Sequence, residues 1–352
     1  MGSSVRAWNA LSGHPEVAWS VVLQALVDPV PSMDDLRRRL GAAPFRGHLA
    51  EAERESELDR LRDAFADLRY RDGRPLVRMA RGPSGLVLAA HHSALDGLGL
   101  VALLGLALDA PVRSDVRGVP ETGDAGRSLP VAVAALARAV VSPRARVAPD
   151  GGMRERGDHL LHADVAASPG GTSGLVAAVA EAITTWNAAH AGATAPMEIA
   201  VGASRRPGDR LTLADESTWM RVRVDAWSPE TVRSALRASA VEFGPPVRGP
   251  AALAAWPVAR ATSRRSGSTA LVSNLGRIEG APGLRSLAFW PVAHGRSGVA
   301  IGAATVGERT TITLRARRSD FGPGPGARLL EEIARRLGPS DPRVSSPQPD
   351  LR

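Results

Sequence analysis

Segments with strand and helix character mix in both halves of this 352-residue chain without a regular βαβ rhythm, which predicts an α/β fold in two layers. Two further observations set its scale. Apolar residues make up 44% of the sequence, enough for a large core, and a stretch from Ser142 to Gly157 with Pro143, Pro149 and a glycine pair reads as a linker between halves. The expected organisation is a first half over 1–150, a second over 151–337, and a disordered tail rich in Ser and Pro over 338–352.

The elements follow from local pattern. Val17 to Val27 alternates as a strand and is ended by Pro29 and Pro31. Asp34 to Leu40 reads as a helix, and Leu49 to Leu68 as another, with Leu58, Leu61, Phe65 and Leu68 on one apolar face among solvated charges. The run Gly85-Leu86-Val87-Leu88-Ala89-Ala90, introduced by Gly82 and Pro83, is short and apolar, the pattern of a buried strand. At its end stand His91-His92-Ser93-Ala94-Leu95-Asp96-Gly97-Leu98-Gly99, and Leu100 to Leu108 then predicts a buried helix. Residues 110–127 are polar and rich in Gly, Pro and Asp, as a loop is, and Leu129 to Val141 reads as a short apolar helix capped by Ser128. In the second half, strands are expected at His159–Val165, Met197–Ala203, Thr218–Val224, Thr269–Ser273, Gly298–Ala304 and Thr310–Ala316. Helices are expected at Gly174–Ala191, at Ser228–Val241 with Ser228 as cap and Pro229 first, and at Gly326–Leu337.

The histidine pair carries the chemistry. A strand that ends in a polar turn before a helix is a rigid mount for side chains. Imidazole titrates near neutrality, so a neutral histidine there can take a proton from an attacking hydroxyl or amine and return it to a leaving group. The same histidines suit a packed core or a cap. Asp96 either orients a ring or binds an arginine that holds the loop, while Gly97 and Gly99 supply backbone freedom and close approach of a substrate. His159, His162 and Asp164 fit neither one strand face nor a zinc spacing, and read as the polar start of a strand; His294 reads as a loop residue.

Composition removes competing chemistries. Net charge is +8, but all 44 basic residues are arginines and only one tyrosine and five phenylalanines are present, so base-stacking platforms for nucleic acid are poorly supplied. A positive surface suits coenzyme A or an acidic carrier protein instead. Without lysine there is no Walker A lysine or Schiff base. Without cysteine there are no disulfides, thiolate nucleophiles or thiolate metal sites, and no GxSxG elbow is present. Residues 1–8 lack an apolar signal core and no apolar run reaches bilayer length, so a cytoplasmic protein without a membrane span is expected.

The string His91-His92-x-x-x-Asp96-Gly97 resembles the signature of the chloramphenicol-acetyltransferase-like superfamily, which includes the condensation domains of nonribosomal peptide synthetases. Arg74-Pro75-Leu76-Val77-Arg78 before it, Gly174 to Ile183 with Ile199 to Arg206, and Leu271-Val272-Ser273-Asn274-Leu275-Gly276 are similar to further family segments in the family's order. Together they span about three quarters of the chain. The resemblance implies two chloramphenicol-acetyltransferase-like halves in a V, with a tunnel and the active site at their junction. It implies that His92 is the general base, that Asp96 is an anchor paired with Arg205 or Arg206, and that His91 is a packing residue. An acyl group would pass from a CoA or phosphopantetheinyl carrier-protein thioester to a hydroxyl or amine, with no bound cofactor or metal. Main-chain N–H groups near Gly97 or a hydroxyl would meet the oxyanion, and Ser273, Asn274 and Thr305 are candidates for that polar contact or for lining the tunnel. A non-catalytic member that docks carrier proteins, or a cyclising enzyme on the same scaffold, are the alternative readings. The chain is shorter than a typical condensation domain around residues 110–160 and after Pro245, and the family's opening motif is not visible, which suggests a stand-alone member with a less covered tunnel.

Overall fold

The computed structural model describes residues 17–41, 43, 47–71, 74–119, 145–166, 170–190, 196–206, 210–241, 267–293 and 298–338. The helix expected at Leu129–Val141, His294 and nearly all of the expected tail lie outside them. In chain order the elements of the first part are β1 (Ser20–Val27), α1 (Met33–Gly41), β2 (Gly47–Glu51), α2 (Glu55–Ala66), β3 (Val77–Arg81), β4 (Gly85–His91), α3 (Gly97–Leu108) and β5 (Arg113–Ser114). They are followed by β6 (Asp158–Ala166), α4 (Gly171–Ala189), β7 (Ile199–Ser204), β8 (Ser217–Val222), α5 (Pro229–Ala238), β9 (Ala270–Glu279), β10 (Leu284–Trp290), β11 (Val299–Val306), β12 (Arg309–Arg317) and α6 (Pro323–Leu337).

Among the described residues the strands form two mixed sheets. The first has the order β10-β1-β4-β3-β2, and the second β6-β12-β11-β9-β7-β8 with β5 added at β9. Every residue of β4 is buried, which explains its continuous apolar run. Leu86, Leu88 and Ala90 pack with α1 and α3, while Val87 and Ala89 pack with α2 on the opposite face. The second sheet lays one face on α4, α5 and α6 through Val201, Val272, Ile301 and Leu314.

The chain does not keep its two parts separate. β10, late in the sequence, pairs antiparallel with β1 from Val22↔Trp290 to Val27↔Leu284, so the first sheet is completed by the second half. Where β10 crosses the second sheet, a Cβ on Gly302 would lie 1.9 Å from the Phe289 carbonyl oxygen, and only glycine admits that approach. Trp290 Nε1 donates to Leu161 O across the same junction (2.9 Å).

Two expectations are corrected. Leu49 to Leu68 is not one helix: β2 pairs in parallel with β3, and α2 starts only at Glu55, after an extended Arg54. The ladder to β3 satisfies the backbone groups that a longer helix would have used. The stretch read as a linker is packed where it is described. Trp186 Nε1 donates to Ala148 O (2.8 Å), Ala148 N to Asn187 Oδ1 (2.8 Å), and Val147 is fully buried, because α4 offers polar groups to this irregular backbone.

Candidate active site

β4 carries the first histidine into the sheet and releases the second. His91 is the last residue of β4, opposite Ser20 of β1, and its N–H donates to Leu76 O (2.9 Å). Its ring is buried, lies edge-on to Tyr70 with centroids 5.5 Å apart, and holds Nδ1 2.7 Å from Ser93 Oγ. Burial of the same pocket pushes the Tyr70 hydroxyl up to about 12. His92 N still donates to Trp19 O (2.8 Å), but its side chain turns out of the sheet and is 21% exposed.

Asp96 is the N-cap of α3. Its extended backbone lets Oδ1 accept from Gly99 N at 2.7 Å, satisfying one orphan donor of the helix. The same oxygen accepts from Arg206 Nη2 (3.0 Å), and Oδ2 accepts from Glu216 N (2.9 Å). Arg206, 3% exposed, also pairs through Nε with Glu216 Oε2 at 2.7 Å and donates to Thr212 O and Ala214 O (both 3.3 Å). Arg205 contributes its main chain instead, its N–H donating to Glu216 O (2.9 Å). A buried carboxylate and guanidinium thus clamp the loop between β7 and β8 onto the histidine turn.

That loop brings a residue that local patterns do not reveal. Asp215 Oδ1 lies 3.6 Å from His92 Nδ1, with the Asp215 side chain 15% exposed. Ser217 steadies it, donating to the same oxygen through N (3.1 Å) and Oγ (2.6 Å).

The glycines of the motif serve packing, not backbone freedom. A Cβ on Gly97 would meet Phe289 Cζ at 2.7 Å and Leu275 Cδ2 at 2.8 Å, and one on Gly99 would meet Ala214 O at 2.7 Å. Neither glycine has a positive φ. Strand β10, strand β9 and the clamped loop therefore occupy the space that Gly97 and Gly99 leave.

The three tunnel candidates separate by strand parity. Ser273 shares a face of β9 with Leu275, which packs in the core of the first sheet, and Ser273 Oγ approaches Gly202 of β7. Asn274 and Thr305 sit on the other face. They border a small cavity with Leu175 and Leu337, where Thr305 Oγ1 is 2.8 Å from Thr310 Oγ1 and Asn274 Nδ2 donates to Thr172 Oγ1 (3.3 Å). A larger cavity of about 580 Å³, lined by Leu106, Arg113, Arg210 and Leu211 among others, lies beside α3. His92, Asp96 and Asp215 do not line it. Among the described residues no cluster of His, Asp and Glu is arranged to hold a metal ion, and no helix is long and apolar enough to cross a membrane.

Comparison with known proteins places this geometry in a fold. No family model and no curated protein matches the sequence, but solved structures match over nearly its full length. The first condensation domain of the calcium-dependent antibiotic synthetase superposes with TM-score 0.58 at 14% identity, covering 98% of this chain and 99% of that one. SgcC5 from Streptomyces globisporus gives 0.54 at 14% identity, covering 96% and 98%. The starter condensation domain of rhizomide synthetase, solved as a variant with C8-CoA and Leu-SNAC, gives 0.56 at 11% identity, covering 94% and 91%. The chain has the condensation-domain fold, built of two chloramphenicol-acetyltransferase-like halves.

Proposed function

We propose that this protein is an acyltransferase of the condensation type, with His92 as the general base. One observation carries the reading. Of the motif's titratable side chains, His91 and Asp96 are buried and Asp96 is committed to Arg206, Glu216 and a helix cap, whereas His92 alone reaches solvent.

In the proposed reaction a hydroxyl or amine attacks the carbonyl of an acyl thioester while its proton passes to the imidazole of His92. The tetrahedral oxyanion is met by main-chain N–H groups at the start of α3, near Gly97, or by the Ser273 hydroxyl on the sheet face turned toward the first half. Collapse expels the thiolate, which takes the proton from the imidazolium, so His92 ends as it began. The donor is a CoA or carrier-protein thioester, consistent with the C8-CoA held by the rhizomide domain and with an arginine-rich surface. In this reading residues 1–150 and 151–337 wall a tunnel that meets at His92, and the thioester pool places the reaction in the cytoplasm.

The test supplies the purified protein with acyl-CoAs and acyl carrier proteins together with amine and alcohol acceptors, and follows new acyl products by mass spectrometry. His92→Ala is expected to lower turnover by about 10²- to 10⁴-fold. Undiminished turnover in that variant overturns the base assignment. Binding of acylated carrier protein with no product from any acceptor overturns the acyltransferase reading in favour of docking.

A further inference from the structure

We propose that Asp215 is the positioning carboxylate of His92, and that the Asp96–Arg206–Glu216 clamp delivers it from the second half of the chain. The inference deepens the acyltransferase reading and rests on it.

The geometry is specific. Asp215 Oδ1 faces Nδ1 of His92 at 3.6 Å, which leaves Nε2 as the nitrogen that exchanges a proton with substrate. Both side chains are largely shielded, so their attraction is less screened than at a free surface. Polar contacts around a base tighten when substrate excludes water. Asp215 does not rely on His92 for its place. Ser217 N and Oγ bind its Oδ1, and its neighbour Glu216 is tied twice over, through its N–H to Asp96 Oδ2 and through its carboxylate to Arg206 Nε. Asp96 N also donates to Ala214 O (3.4 Å), and Gly99 gives up a side chain so that this carbonyl can come close. The residues on either side of Asp215 are therefore docked onto the turn that carries His92.

The chemistry this allows is balanced and needs no further reactant. When His92 takes the acceptor's proton at Nε2, the imidazolium so formed keeps its Nδ1–H toward the Asp215 carboxylate. The negative charge beside it stabilises the cation until the proton leaves with the thiolate.

Two measurements test the assignment. The first is independent of any substrate: long-range ¹H–¹⁵N spectra of the whole protein, with the His92 signals assigned by their loss in His92→Ala. Imidazole in water favours the Nε2–H tautomer, so the expected result is an Nδ1–H tautomer for His92 in the parent protein and reversion to Nε2–H in Asp215→Ala. The same tautomer in both overturns the proposal. The second measurement is thiol release from an acyl-CoA series with amine and alcohol acceptors, detected by a thiol-reactive dye that meets no cysteine in this chain. Asp215→Ala is expected to lower kcat by about 100-fold or more with KM little changed, and to cost nothing further in a His92→Ala background. Equal losses from Asp215→Ala in the parent and in His92→Ala overturn it, because they mark a residue that does not act through His92. If His92→Ala itself keeps full turnover, the acyltransferase mechanism has failed separately, and the tautomer result still decides whether Asp215 orients the ring.

Discussion

Two buried arginines carry the second half of the chain onto the first, with different partners. Arg206 reaches the turn after β4, where it meets the carboxylates of Asp96 and Glu216 and two loop carbonyls. Arg315 of β12 is fully buried and binds the Asp158 carboxylate at 2.6 Å, but its other partners are main-chain oxygens of regular elements. These are Ser20 O at the start of β1 (2.5 Å) and Ala66 O at the end of α2 (3.0 Å). The difference separates two tasks. Arg315 ties strand to strand and helix end, where backbone is already rigid, and so sets how the sheets sit on each other. Arg206 ties loop to loop, where backbone alone specifies little, and so sets where side chains meet.

The largest expected effect is at Arg315. Arg315→Ala leaves Asp158 without its buried partner and two carbonyls without a donor, so a stability loss of about 3–5 kcal/mol is expected in urea unfolding. A loss below about 1 kcal/mol would break the contrast. The loss of turnover by the folded fraction is expected to be smaller than in Asp96→Ala, since this arginine binds Asp158, Ser20 O and Ala66 O and not His92, Asp96 or Asp215.

Asp96→Ala comes next, at about 3 kcal/mol, from a lost helix cap and a half-satisfied Arg206. Here stability and function are expected to fall together, because the loop bearing Asp215 loses its anchor. Full turnover in a well-folded Asp96→Ala protein would mean that Glu216 and Arg206 hold the loop alone.

The smallest effect lies at His162 of β6, which packs edge-on against Trp290 of β10 with centroids 5.9 Å apart. Burial first, and the Arg62 charge second, lower its pKa from 6.5, so the folded state keeps it neutral while the unfolded chain protonates. Its contribution is fully present above pH 6.5 and declines as pH falls from there toward the lowered folded-state value. Asp67, raised mainly by burial, works with the opposite sign, so the comparison with His162→Gln isolates the imidazole. Between about pH 7.5 and about pH 5.5 the parent is expected to lose more stability than the variant; parallel curves would remove His162 from the acid response of the junction.

How much of this was legible in the residues depended on distance along the chain. The β4 run, the polar turn and the apolar α3 are local patterns, and each was readable from its own neighbours. The expected pairing of Asp96 with Arg205 or Arg206 came from resemblance, and the fold placed Arg206 on the carboxylate while Arg205 gave its backbone to Glu216. Asp215 was not readable: Leu213-Ala214-Asp215-Glu216-Ser217 has the composition of any hairpin loop, and its meaning depends on lying beside residues more than 110 positions earlier. Gly97 and Gly99 stood out in the sequence, but their use depended on what packs against them. Asn274 and Ser273 were both candidates through the resemblance of Leu271–Gly276 to a family strand end, and alternation on β9 put the two side chains on opposite faces.

Sequence by itself determined the α/β class, the buried strand, and the histidine turn at its end, because apolar periodicity and turn chemistry act over a few residues. Only the tertiary structure decided that β10 completes the first sheet, that Arg206 rather than Arg205 holds Asp96, and that a carboxylate faces His92. Those outcomes rest on strand pairing and loop docking between distant segments, where the free energy comes from burial and charge pairing that no local window contains.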